Sequence, residues 1–257
     1  MDPLIVLPEE VAGKAYDDVA HPPARWVGKT FGAWGHAFYV IMGLPVDLWA
    51  EREEEMKRKF AEEVRGRVDK IPVDQRIEPT FGVVKAVLEG VDDCIDEEVL
   101  RAGFVNLLCC SIDSKKSNPL LRTYASTLRQ LCSDEARILR RLYLKGRGAF
   151  IRIIMRKEKE KGYMVLVEYF SDIGKEANCM NDEMLPQYIV HMETLGLIST
   201  STIESFTDDS RYERLREQAK PIKEDIEKDG LVFDFKRGLI SITPLGEDFA
   251  KVCDFSE

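Results

Sequence analysis

The chain is poor in histidine, has no CxxC pair and carries no excess of positive charge. His21, His36 and His191 lie far apart in the 257 residues, and none stands at a metal-ligand spacing from a cysteine or an acid. The six cysteines are Cys94, Cys109, Cys110, Cys132, Cys179 and Cys253. At this length and density they read as reduced core thiols of a cytosolic protein, not as a disulfide framework. Against 37 basic residues stand 46 acidic ones, a formal charge of -9, and the pI is near 5.1. A surface that tracks nucleic-acid phosphates needs clustered positive charge, so wholesale nucleic-acid binding is not expected. No basic region precedes the first apolar run, Leu4-Ile5-Val6-Leu7, which Pro8 breaks and Glu9-Glu10 follow. A secretory leader has the opposite layout, and a cytoplasmic location is expected. Neither a Ser-His-Asp nor a Cys-His grouping is visible. Asp17-Asp18 and Asp92-Asp93 read as solvent-facing helix-end charges before they read as acid/base pairs. The expected function is therefore non-enzymatic, with no cofactor and no metal.

Hydrophobic residues make up 44% and charged residues 32%, the balance of a folded chain, and the length fits one or two domains. The fold expected is mainly α: an N-terminal helical bundle plus a C-terminal winged-helix-like α+β domain with β-hairpins. The boundary is placed between 1–132 and 133–257.

The N-terminal region begins with a short helix over 9–20, stopped by His21-Pro22-Pro23. An apolar, glycine-rich helix over 24–44 follows, and then a long amphipathic helix over 46–70. Leu48, Met56, Phe60, Val64 and Val68 form the apolar stripe of that long helix, while Glu53/Lys57, Glu54/Arg58 and Glu55/Lys59 lie on a solvated face. Each acid-before-base pair adds only about 0.3 kcal/mol. A proline-bounded connector over 71–80 leads to helices over 81–91, from Asp96 through Ile112, and from Asn118-Pro119 onward. A helix capped by Ser133 carries Ile138, Leu139 and Leu142 inward.

After Gly146 the periodicity changes. Residues 149–155 and 163–170, rich in Ile, Val, Phe and Tyr, form a hairpin insertion over 149–170 with a charged tip. A helix over 182–195, a short strand at 197–202 and a charged helix over 209–228 follow. Leu231–Ile242 alternates apolar and polar residues on both sides of Lys236-Arg237-Gly238, which reads as a second hairpin with its turn at those residues. Thr243-Pro244 starts the last helix. This order resembles a winged helix with a hairpin insertion and a helical insertion in its wing.

Three stretches invite a functional reading. Gly28-Lys29-Thr30 looks like the tail of a P-loop, but Pro23 holds the place of the first glycine and Pro22-Pro23 forbids the preceding strand. Thr30–Val46 is free of charge for 17 residues, at the short limit for a span of ~30 Å, and ends at Pro45. Gly28 and Gly32 are spaced for close helix contact, and Trp26, Trp34 and Trp49 suit an interface. These five residues are the candidate membrane or partner contacts; a helix buried in a soluble bundle is the plainer alternative. In the winged-helix reading, helix 182–195 has three acids and neither Lys nor Arg, leaving only Gln187 and His191 suited to base edges. Lys236 and Arg237, at the expected wing tip, are the candidate nucleic-acid contacts. A winged helix that contacts protein or is purely structural is favoured, and a DNA-binding regulator is the alternative.

A family resemblance rests on ordered motifs. Ile71-Pro72 and Glu78-Pro79 are followed by Asp96-Glu97-Glu98-Val99-Leu100 and Phe104-Val105-Asn106-Leu107-Leu108. Asn118-Pro119, Leu131-Cys132-Ser133-Asp134-Glu135-Ala136 and Leu139 come next, then Leu195-Gly196-Leu197-Ile198 and Ile242-Thr243-Pro244-Leu245-Gly246 with Phe249 and Cys253. This order resembles the bacterial abortive infection alpha family, over roughly residues 70 to 253. Glu247-Asp248 stands where members usually carry a basic residue before the final Phe. The resemblance implies phage defence of the abortive infection type and brings no catalytic residues. Action through a protein partner or self-association is expected alongside it, with the membrane periphery as a further contact through the apolar segment 26–49.

Overall fold

A computed structural model describes residues 51–94, 97–158 and 162–255. The helices expected over 9–20 and 24–44, residues 46–50 and the five candidate contacts from Trp26 to Trp49 lie outside the described residues. The chain divides into two compact units. The first takes the described residues up to 94 and 104–126; the second takes 97–103 and 127–255.

The first unit is helical. Helix α1 spans Glu51–Val68, α2 Phe81–Cys94, α3 Glu98–Ile112 and α4 Leu121–Leu128, the outer ends of α3 and α4 belonging to the second unit. Phe60, Val64 and Val68 recur every four residues and are buried, as the amphipathic stripe requires. On α2 the buried face is Val83, Val84, Val87 and Val91, and on α3 Phe104, Leu107, Leu108 and Ile112 are fully enclosed. Gly90 lets α2 meet the Phe104 ring, since a Cβ there would lie 2.3 Å from Phe104 Cζ. Arg67 donates to Asn106 between α1 and α3. The connector carries a 3-10 turn at Val73–Gln75 and is tied down by Ile77 N donating to Ile112 O at 2.8 Å and Ser114 N to Gln75 O at 2.8 Å.

The second unit builds a sheet between helices. Helix α5 spans Ser133–Lys145, followed by strands β1 (Gly148–Arg156) and β2 (Met164–Phe170) and the single-turn α6 (Ile173–Glu176). A 3-10 turn at Asp182–Met184 enters α7 (Leu185–Thr194), then come β3 (Ile198–Ser201), α8 (Ser210–Gln218), α9 (Lys220–Lys228), β4 (Val232–Ile242) and α10 (Pro244–Val252). The sheet order is β2-β1-β4-β3, antiparallel throughout. The hairpin expected over 149–170 is the β1–β2 pair. Ile151 and Ile153 point to one face and pack with Tyr212, Leu215, Ala219 and Ile226 of the α8–α9 insertion. Phe150 and Ile154 point to the other and are buried as well, which is why β1 reads as a nearly continuous apolar run.

Three expectations need correction. The hairpin expected over 231–242 is one continuous strand: Lys236 lies opposite Arg152, Arg237 opposite Ile151 and Gly238 opposite Phe150. Gly238 makes room rather than a turn, because a Cβ there would lie 2.3 Å from the Phe150 ring and 2.7 Å from Ser201 O. The helix expected over 209–228 is two helices meeting at Ala219, because Pro221 lacks the N–H that a continuous helix needs there. The cap of α5 is Cys132, one residue before Ser133, and Glu135 Oε2 accepts from the Cys132 N–H at 2.9 Å.

Candidate functional site

Helix α5 buries charge. Asp134, Glu135 and Arg141 are each under 10% exposed, so each must find partners within the fold. Asp134 Oδ1 accepts from Met180 N at 2.9 Å and from Arg137 Nη1 at 2.7 Å; its Oδ2 accepts from Asn181 N at 2.9 Å and from the Tyr188 hydroxyl at 3.3 Å. Burial pushes this carboxyl up, but the Met180 and Asn181 N–H groups and Arg137 outweigh it and hold it below its ordinary value. Glu135 Oε1 lies 2.7 Å from His191 Nδ1. Two adjacent carboxylates thus pin the segment 180–191 to the start of α5.

Near the other end of α5, Arg141 and Lys145 stand at i,i+4, and Arg211 and Arg214 stand at i,i+3 on α8. Each pair therefore shares one helix face. All four line a cavity of about 630 Å³ together with Asp172 and Glu176. Arg141 Nε donates to Glu176 Oε2 at 2.8 Å and its Nη1 to Gly146 O at 2.7 Å. Arg214 Nε donates to Asp172 Oδ2 at 2.6 Å, with Glu176 Oε1 3.6 Å from Nη2. Asp172 is 7% exposed, so its charge is held by Arg214 and by Gln218 Nε2 at 3.3 Å. Ile173 and Leu215 add an apolar wall.

A third feature is the free margin of the sheet. β2 is an edge strand. Tyr163, just before it, and Met164, Val165 and Leu166, its first residues, are 48%, 63%, 40% and 47% exposed. Consecutive strand residues face opposite sides, so apolar groups are exposed on both. Edges are ordinarily protected by lysine, proline, inward-pointing charge or a bulge; this stretch has only the last, a register shift at Leu166 between the Ile153–Val167 and Ile154–Val165 pairs.

Lys236 and Arg237, the residues expected at a wing tip, lie mid-strand and are engaged within the chain. Arg237 Nη1 is 2.7 Å from Asp209 Oδ1, and its guanidinium sits 5.4 Å from the Tyr212 ring centroid. Lys236 Nζ donates to the Tyr163 hydroxyl at 3.0 Å and lies 4.5 Å from that ring's centroid; this hydrogen bond and charge lower the Tyr163 pKa. No cysteine forms a disulfide. Burial pushes the Cys109 and Cys179 thiols up to about 12, away from the reactive thiolate. Among the described residues no group of His, Cys, Asp and Glu could hold a metal ion, and no helix is long and apolar enough to cross a membrane.

The model of the family described as abortive infection alpha matches residues 49–253. The chain belongs to the abortive infection alpha family. No curated protein matches it. A solved structure of an uncharacterized protein from the hydrocarbon-degrading marine bacterium Alcanivorax borkumensis SK2 is similar at 21% identity, over 54% of this chain and 99% of that one, with a TM-score of 0.35. The motifs that carried the resemblance to the abortive infection alpha family have structural tasks here. Ser133-Asp134-Glu135-Ala136 is the carboxylate pair that holds 180–191. The Leu-Gly-Leu-Ile and Thr-Pro-Leu-Gly motifs meet: Thr243 Oγ1 donates to Gly196 O at 2.6 Å and Thr243 N to Leu197 O at 3.0 Å. Gly196 takes a left-handed φ of 72°, and a Cβ on Gly246 would lie 2.0 Å from Leu197 O.

The cavity charges and the β2 edge were not singled out from the sequence. The signals were present. Like charges at i,i+4 and i,i+3 on two helices mark a basic face. Four consecutive large apolar residues without alternation mark a strand that is either buried on both sides or open on both.

Proposed function

We propose that the protein acts in phage defence of the abortive infection type, non-enzymatically, through protein–protein contact at the β2 edge. The family supports the biological setting. The observation that carries the mechanism is the run Tyr163-Met164-Val165-Leu166, exposed on an edge strand whose outer side no other described strand occupies. An added strand from a partner protein would satisfy the outward backbone groups and cover these side chains together. The element order from α5 to α10, with β3 and β4 adjacent and α8–α9 inserted between them, supports reading this unit as winged-helix-like. The outward residues of α7 and of the 3-10 turn before it, Glu183, Met184, Gln187, Val190 and Thr194, are acidic, neutral or apolar, which favours protein over DNA as the surface it meets.

The test compares cells carrying the wild-type gene, a Met164→Lys/Leu166→Lys double variant and no gene. Phage plating efficiency and culture survival are read at low and high multiplicity of infection. Protection at low multiplicity with culture collapse at high multiplicity, lost in the double variant while its circular dichroism is unchanged, supports the reading. Protection by the double variant equal to wild type removes the β2 edge from it.

A further inference from the structure

The cavity between α5 and α8 contains more positive charge than the fold uses. Arg141 is accounted for structurally: its guanidinium joins Glu176 to the carbonyls that close α5, Gly146 O at 2.7 Å and Arg147 O at 3.3 Å. Arg214 spends Nε and Nη2 on Asp172 and Glu176, leaving the donors of Nη1. Lys145 and Arg211 differ. Neither has a carboxylate within 4 Å among the described residues, although both line the same cavity. Arg211 instead lies over the Phe206 ring, 4.3 Å from its centroid, and beyond ion-pair distance its charge helps lower the pKa of the exposed Asp208. Each of the two also stands one turn from another cation on its own helix, an arrangement that costs a few tenths of a kcal/mol in helix stability. In a chain of net charge -9, four cations converging on one cavity against two carboxylates is a local reversal.

We propose that this cavity binds a small soluble organic phosphate, contacted by Lys145, Arg211 and the open side of Arg214. The surplus of two cations over carboxylates in the cavity lining matches the charge of a phosphomonoester at neutral pH, about -1.5 to -2. Two guanidinium planes and an ammonium offer more donors than one carboxylate can accept, and the geometry of guanidinium suits phosphate oxygens. The volume of about 630 Å³ falls within the range of small-ligand sites. Ile173 and Leu215 give the organic part of the ligand an apolar wall. Asp172 and Glu176 act as positioning groups that hold Arg214 and Arg141 in place before the ligand arrives. The site lies apart from the β2 edge residues Tyr163 to Leu166, and its test does not depend on the function of that edge.

The experiment is calorimetric titration of the full chain with AMP, with inorganic phosphate, and with adenosine as the uncharged control. Lys145→Glu and Arg211→Glu, singly and together, are the variants; neither residue makes an ion pair that folding would miss. The expected result is saturable, salt-sensitive binding of AMP and phosphate and none of adenosine. AMP affinity should fall about tenfold or more for each cation reversed, with unchanged circular dichroism. Vesicles containing phosphatidic acid form a second arm to separate a lipid headgroup from a soluble ligand. Absence of saturable binding of AMP and phosphate by the wild type, affinity unchanged in the double variant, or vesicle binding without AMP binding would each overturn the proposal.

Discussion

Along the first turns of α5, Asp134 and Glu135 are charged and buried; at the start of β2, Tyr163, Met164, Val165 and Leu166 are apolar and exposed. Each region departs from the usual distribution, in opposite directions. Their surroundings separate them. The buried carboxylates have hydrogen-bond partners on every side that can be named, so their charge is explained by the fold. The exposed apolar run pairs with β1 on one side, Met164 with Met155 and Val165 with Ile154, and has no described strand on the other, so the fold leaves its outer side open. A departure that local partners satisfy is structural, whereas one they leave open points outward. The same rule separates Arg141, bound to Glu176 and two carbonyls, from Lys145 one turn later.

The largest effect is expected on the buried side. Asp134→Ala leaves the Met180 and Asn181 N–H groups and the Tyr188 hydroxyl without their acceptor. It should cost about 3 kcal/mol, read as a melting temperature lower by on the order of 10 °C. The depressed Asp134 pKa sets a pH signature. Its stabilisation is full above the unfolded value of 3.8 and is lost as pH falls through the lower folded value. The gap between wild type and Asp134→Asn, followed by urea unfolding, should therefore narrow below pH 3.8. A gap that stays constant into acid would show that the carboxylate is not held by these donors.

A smaller effect tests whether β4 is a strand or a turn at Lys236-Arg237-Gly238. Gly238→Ala should cost about 2 kcal/mol, because the new methyl group meets the Phe150 ring and Ser201 O. In a hairpin turn the methyl group would meet neither, and unchanged stability in denaturant would contradict the continuous strand. Smaller again is His191→Ala, which removes the Nδ1 partner of a buried Glu135 oxygen and should cost about 1 kcal/mol. At the exposed end of the series stands Met164→Lys/Leu166→Lys. Its stability should stay within about 0.5 kcal/mol of wild type. A larger loss would mean that these side chains are packed in the protein and are not a surface.

Much of the fold was legible in the sequence. Helix periods located α1 to α5 to within a few residues. Thr243-Pro244 marked the start of α10, where the Thr243 hydroxyl accepts from Gly246 N at 3.0 Å. The misread strand and helix share one cause. Lys-Arg-Gly is a turn signature when glycine supplies φ, but Gly238 supplies space for a ring 88 positions earlier in the chain. Pro221 was given no weight inside a strongly charged helical pattern. The candidate surfaces were harder to see because they depend on what is left unpaired. Arg141 and Lys145 look alike in sequence, and only Glu176, Gly146 O and Arg147 O tell them apart.

Whether the exposed strand edge performs the defence function is read from phage plating on cells expressing the Met164→Lys/Leu166→Lys variant beside wild type, at matched protein levels. Wild-type cells should be protected at low multiplicity, and cells with the variant, folded and equally abundant, should not. Equal protection by both would contradict that role of the edge.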